Sequence, residues 1–161
     1  MKKVFFILAF MFTFVMANAQ VVNKTQITIP SGNTYISYTA IATDSLGVTQ
    51  DSILFPVLIN NDKLYKVTIG ATFHATSTSD TIVKIAIWGK NFADEDYTYI
   101  TSENTAVITS TTVATQKTIA YGTALQYRYL RIHLMRPPST MTVVTKKGSH
   151  LVKLEAKIWE Q

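Results

Sequence analysis

Lys63-Leu64-Tyr65-Lys66-Val67-Thr68-Ile69-Gly70-Ala71-Thr72-Phe73-His74-Ala75-Thr76 alternates along its whole length. Tyr65, Val67, Ile69, Ala71, Phe73 and Ala75 point one way, and Lys66, Thr68, Thr72 and His74 point the other. Successive side chains of a strand leave opposite sides of the sheet. A period of two over this many residues therefore describes a strand with one buried and one wet face.

The same rhythm recurs on both sides of this stretch. Near the C-terminus Val152, Leu154, Ala156 and Ile158 are expected to face inward, with Lys153, Glu155 and Lys157 outward. In 126–135, Leu130, Ile132 and Leu134 form the buried set, opposite Tyr129, Arg131 and His133. Val83, Ile85 and Ile87 alternate with Lys84 and Ala86 and run into Trp88-Gly89. Further strands are expected at 35–42, 53–59, 97–101, 106–109, 117–120 and 141–145. Pro56 has no N–H for a ladder, which argues for an edge or bulge position. Turn formers separate these segments at 30–33, 60–62, 77–80, 137–139 and 147–149. Threonine is frequent, as suits half-exposed strand positions, and no segment has a helical period. About nine short strands at this spacing predict an all-β fold, a single antiparallel β-sandwich or jelly roll. It would occupy 20–161 as one domain, with 20–26 as an extended arm.

Residues 1–19 have a different character. Lys2 and Lys3 precede an apolar run from Val4 to Met16, broken only by Thr13 and closed by Ala17-Asn18-Ala19 before Gln20. A basic start, a short apolar core and small residues two apart make a secretory leader. The run is shorter than the roughly 20 residues of a spanning helix, and no cysteine follows for lipid attachment. A retained anchor is the other reading. Cleavage before Gln20 would leave no stable membrane anchor, and the product would be periplasmic, at the cell surface or extracellular.

The chain has no cysteine, so export would not be used for disulfide stapling and burial must hold the fold. The net charge of +5 falls to +3 without Lys2 and Lys3, and the halves differ: 20–103 carries −3 and 104–161 carries +6. Such a split would steer head-to-tail association of copies, or mark two faces of one domain. The cations of the basic half stand singly along strands, apart from Lys146-Lys147. With no basic stripe and no recognition motif, nucleic acid is not an expected partner.

Chemistry is hard to place. Asp94-Glu95-Asp96 is the one acidic cluster, and consecutive acids suit a solvated hairpin tip better than a calcium loop with spaced ligands. His74, His133 and His150 lack zinc spacing, no serine sits in a glycine-flanked elbow, and no glycine-rich phosphate loop occurs. Carboxylate pairs for glycoside hydrolysis meet only in the fold. The expectation is a non-enzyme with no cofactor and no metal site. The aromatics are the remaining signal: Tyr97 and Tyr99 share one face, as do Tyr127 and Tyr129, and Tyr129, Arg131 and His133 form an outward row. That row would adjoin Lys153, Glu155 and Lys157 if the two strands are neighbours. Trp88, Tyr97, Tyr99, Tyr129, Arg131 and His133 are thus the candidate interface or ligand residues. Tyrosine and arginine are favoured at hot spots and also serve as ordinary cross-strand pairs.

Trp88-Gly89-Lys90-Asn91 through Tyr97-Thr98-Tyr99-Ile100, then Tyr127-Arg128-Tyr129-Leu130-Arg131-Ile132, then 151–159, resemble the closing strands of small all-β virion structural proteins of tailed phages. Some of those proteins carry export leaders. The same pieces are loosely similar to discoidin-like, galactose-binding sandwich domains, with Leu154-Glu155 matching a Leu-Glu near their end. The resemblance spans roughly the last 75 residues and implies a fold type but no binding residue. It points to a non-catalytic structural module of an extracellular or virion assembly. That module would act through protein partners or self-assembly; a secreted carbohydrate-binding or adhesion module, with surface glycan as partner, is the alternative.

Overall fold

A computed structural model describes residues 20–29, 33–41, 44–46, 50–60, 63–76, 81–136 and 148–161. The leader expected at 1–19 and the strand expected at 141–145 lie outside the described residues, as do all or part of the five turns. The described chain is all strand: β1 (Gln20–Asn23), β2 (Ile27–Ile29), β3 (Thr34–Thr39), β4 (Ser45–Leu46), β5 (Gln50–Ile59), β6 (Tyr65–Ala75), β7 (Lys84–Lys90), β8 (Thr98–Asn104), β9 (Thr115–Leu125), β10 (Tyr129–Met135) and β11 (Ser149–Glu160). Two sheets form a sandwich. In the first the order is β1-β5-β10-β7-β8, with β2 also on β5; in the second it is β3-β11-β6-β9, with β4 on β11. Strands from the two halves of the chain interleave, since β10 enters between β5 and β7, and β11 between β3 and β6.

Burial follows the alternation. All six inward residues of β6 are buried, among them Tyr65 and Phe73, and they meet Phe55, Ile85, Ile87, Ile132 and Leu134 from the other sheet in one core. Fully burying a side chain such as Phe73 is worth about 1.5–3 kcal/mol, so the core needs no covalent staple. The Tyr65 hydroxyl donates to the Tyr127 carbonyl at 2.6 Å, tying β6 to the entry of β10. Burial pushes that phenol far up from its usual pKa.

The structure corrects several expectations. The pairing is not wholly antiparallel, because β1 and β2 both run parallel to β5. The supposed arm at 20–26 therefore begins as a strand. Pro56 is not on an edge. The Ile59 N–H donates to the Arg128 carbonyl, whereas the Leu54 carbonyl accepts from the Lys24 N–H. Even-numbered residues of β5 thus turn their backbone groups toward β1 and β2. Pro56 falls opposite the gap between those two short strands, where no ladder bond is lost. Val152 does not face inward: a bulge between Leu151 and Lys153 inserts it, so Leu151 is buried ahead of Leu154. Residues 106–109 form no strand; Ile108 makes a single bridge to Thr81. The row on β10 does not adjoin that on β11, because the two strands lie in different sheets.

One polar cluster sits inside the sandwich margin. The fully buried carboxylate of Asp44 takes an ion pair from Lys24, a hydrogen bond from the Tyr38 hydroxyl at 2.5 Å and another from the Ile41 N–H at 3.0 Å. Burial raises the Asp44 pKa, but these three donors outweigh it and hold the carboxyl below its ordinary range. Burial likewise disfavours the Lys24 ammonium, and Asp44 with Tyr38 more than offsets it, so that pKa is raised. The pair joins the segment between β1 and β2 to the one between β3 and β4, and so crosses from sheet to sheet. Removing one partner strands the other charge, so Asp44→Ala should lower the unfolding free energy by about 3 kcal/mol in urea titrations. A depressed carboxyl stabilises above the unfolded pKa of about 4, and a raised ammonium below about 10. The difference between wild type and variant should be greatest between those limits and shrink as pH falls below the lower one.

Candidate functional site

Register alone assembles the candidate residues. On the outer face of the first sheet, β5, β10 and β7 align Leu58, Tyr129 and Lys90 in one rank, and Pro56, Arg131 and Trp88 in the next. Tyr99 of β8 extends the second rank, because a bulge after Ile87 sets it opposite Trp88. A third rank holds Leu54, His133, Ala86 and Ser102, and a fourth Ser52, Met135, Lys84 and Asn104. Tyr97 lies in the β7–β8 connection and folds back over the face. The six residues singled out from sequence thus share one surface. Sequence reasoning missed Lys90, although the period of two through Lys84, Ala86 and Trp88 leads directly to it. It also missed Leu54, Pro56 and Leu58, which flank the ranks from a strand remote in sequence.

Tyr127 does not share the face of Tyr129. It precedes β10 and turns inward, where its ring covers Gly89; a methyl group on Gly89 would collide with that ring. The missing side chain at Gly89 lets the chain enter β10 with Tyr129 already directed outward.

The contacts within the face are aromatic and cationic. Trp88 and Tyr99 meet edge to face, with centroids 5.3 Å apart at 73°. The Arg131 guanidinium carbon lies 4.3 Å from the Tyr97 ring centre and 5.4 Å from that of Trp88. Lys90 Nζ lies 4.8 Å from Tyr97 and 5.7 Å from Tyr129. Each such contact is worth about 0.5–1 kcal/mol when exposed and more when dry. No carboxylate forms an ion pair with Arg131, Lys84 or Lys90 among the described residues. Burial pushes the Tyr97 phenol up in pKa, and Arg131 offsets part of that rise.

The face also holds polar atoms without partners. Trp88 Nε1, Arg131 Nε and both ring nitrogens of His133 are shielded from solvent and make no hydrogen bond. Unpaired polar groups of this kind are uncommon in folded proteins. Burial drops the His133 pKa to about 4, and the positive charges of Arg131 and Lys84 add to the effect.

A groove lies at the adjoining end of the sandwich, about 540 Å³ in volume, lined by Tyr99, Tyr121, Tyr127, Asn91 and Gln126, among others. Tyr99 borders both groove and face. The other two histidines sit on the second sheet, where His74 and His150 pair in register and His150 Nδ1 lies 3.0 Å from Ser45 Oγ. They are therefore not scattered as the sequence suggests. No group of three or more metal-ligating side chains occurs among the described residues.

No family model matches the chain, and no curated protein does. Among solved structures it is similar to VP2 of infectious bursal disease virus. One match is to the subviral particle, at 11% identity with a TM-score of 0.53, covering 80% of this chain and 33% of that one. Another is to the T13 viral particle, at 13% identity with a TM-score of 0.51 and 80% and 31% coverage. The chain thus spans about a third of those capsid chains, and at this identity the likeness shows the sandwich fold alone. A carbohydrate-binding module, CBM36, in complex with calcium and xylotriose is also similar, at 13% identity and a TM-score of 0.45, covering 75% of this chain and 87% of that one.

A histidine with a depressed pKa favours folding above its unfolded value of about 6.5 and withdraws that contribution as pH falls toward about 4. The melting temperature should therefore drop over that interval, and His133→Gln should flatten the drop, as read by thermal scans at stepped pH.

Proposed function

We propose that this chain is a non-catalytic structural module, a β-sandwich that joins an extracellular or virion assembly through protein–protein contacts. The outer face of the first sheet makes those contacts. One observation carries the reading: Trp88, Tyr97, Tyr99 and Arg131 are in mutual ring contact on that face, and no carboxylate pairs with Arg131 among the described residues. These residue types dominate binding hot spots. Leu54, Pro56 and Leu58 on the neighbouring strand add an apolar flank. The leader supports export of the module, with a mature chain starting at Gln20.

A second reading, a secreted carbohydrate-binding module, draws on the groove. Tyr99, Tyr121 and Tyr127 beside the amides of Asn91 and Gln126 combine ring surfaces with hydrogen-bonding groups, as small-ligand sites do.

Fractionation of the native source by sedimentation, with N-terminal mass spectrometry, tests the first reading. Wild type should sediment with a larger particle. Arg131→Glu and Trp88→Ala should be released from it while keeping a wild-type circular dichroism spectrum. A wild-type chain found only as a free monomer, or both variants retained in the particle, would refute the proposal. A glycan-array signal abolished by Tyr121→Ala but untouched by Arg131→Glu would favour the second reading.

A further inference from the structure

The β7–β8 connection carries the complement of the face it borders. In this tip the Glu95 carboxylate accepts from the Asn91 and Phe92 N–H groups at 3.0 Å each. Lys90 Nζ donates to the Glu95 carbonyl at 3.0 Å and to that of Ala93. The Glu95 N–H closes the turn onto the Phe92 carbonyl at 3.3 Å. One acid of the cluster is thus spent on holding the tip in shape. Asp94 and Asp96 are exposed and make no hydrogen bond or ion pair among the described residues. Phe92, beside them, is 65% exposed. The tip is therefore a pre-organised projection bearing two free carboxylates and one bare aromatic ring.

The face has the opposite character. Arg131 is held by two aromatic rings instead of an acid, and Lys84 has no counter-ion among the described residues. The acids of the tip do not pair with these cations of their own chain. Resting on the reading of this face as a protein-contact surface, we infer that its partner is a second copy of the chain. The Phe92–Asp96 tip of one copy docks on the Trp88–Arg131–Lys84 face of the next. Phe92 would pack on the aromatic rank while Asp94 and Asp96 meet Arg131 and Lys84. Tip and face are different surfaces, so the contact is heterologous and leaves one of each free at the ends. It propagates into a ring or a filament instead of closing as a two-fold dimer.

Complementation tests this. Light scattering on the purified 20–161 chain should show mass rising with concentration at about 50 mM salt and falling toward the monomer at about 500 mM, as contacts between exposed charges are screened. Arg131→Ala, with tip intact, and Asp94→Asn/Asp96→Asn, with face intact, should each be monomeric alone. Mixed one to one, they should form dimers and nothing larger, since each supplies the surface the other lacks. Phe92→Ser, a change at an exposed site that leaves the charges in place, should weaken wild-type association at least tenfold. A wild type that stays monomeric at low salt, or a tip variant that assembles as well as wild type, would overturn the inference. If the tip variant sediments with the native particle while Arg131→Glu does not, the face has another protein partner. The second-copy inference then fails and the broader reading stands. If wild type and tip variant bind an immobilised acidic polysaccharide equally and neither self-associates, the face serves a glycan and both fail.

Discussion

The inner faces of the two sheets hold each other chiefly by apolar burial, and that requirement governs where each outward side chain stands. In a pleated strand a slip of one residue exchanges the two faces. With Tyr65, Val67, Ile69, Phe73 and their counterparts on β5, β7, β10 and β11 committed to the core, each register has a single solution that keeps them dry. The ranks on the opposite side follow from it. Arg131 meets Trp88 because Leu130 and Ile132 must be inside, as must Ile87 on the neighbouring strand.

The alignment draws on distant parts of the chain. In the first sheet β1–β2 and β7–β8 follow one another in the chain, whereas β10 enters between β5 and β7 only after β3, β4, β6 and β9 of the other sheet. The aromatic–cationic surface therefore exists only once the topology is complete. Departures from regular pairing then adjust it. The bulge after Ile87 brings Tyr99 against Trp88, and the bare backbone of Gly89 admits the Tyr127 ring, so that Tyr129 leaves on the outer side. The buried Asp44 cluster has another role. It spans the sheets at a margin where apolar residues run out, and it satisfies the polar groups left there.

The charge pattern takes on spatial meaning in this frame. The acidic first half and basic second half are intermixed in both sheets. The asymmetry therefore does not divide the domain into a negative and a positive lobe. A separate, local contrast sets the carboxylates of the β7–β8 tip beside Arg131 and Lys84 on the face, and Lys84 comes from the same acidic half as the tip.

By itself, the sequence determined the strand content and the inward sets of β6, β7 and β10. It also placed Tyr129, Arg131 and His133 in one outward row and named Trp88, Tyr97 and Tyr99 with them as candidates. These are local properties, set by the pleat and by the cost of wetting apolar side chains. Tertiary structure decided which strands are neighbours, that β1 and β2 run parallel to β5, that Val152 bulges out of phase, and that Pro56 fits a gap between two short strands. It also decided that Lys84 and Lys90 join the face while the β11 row does not. Those outcomes depend on pairing between segments far apart in the chain, which no local period encodes.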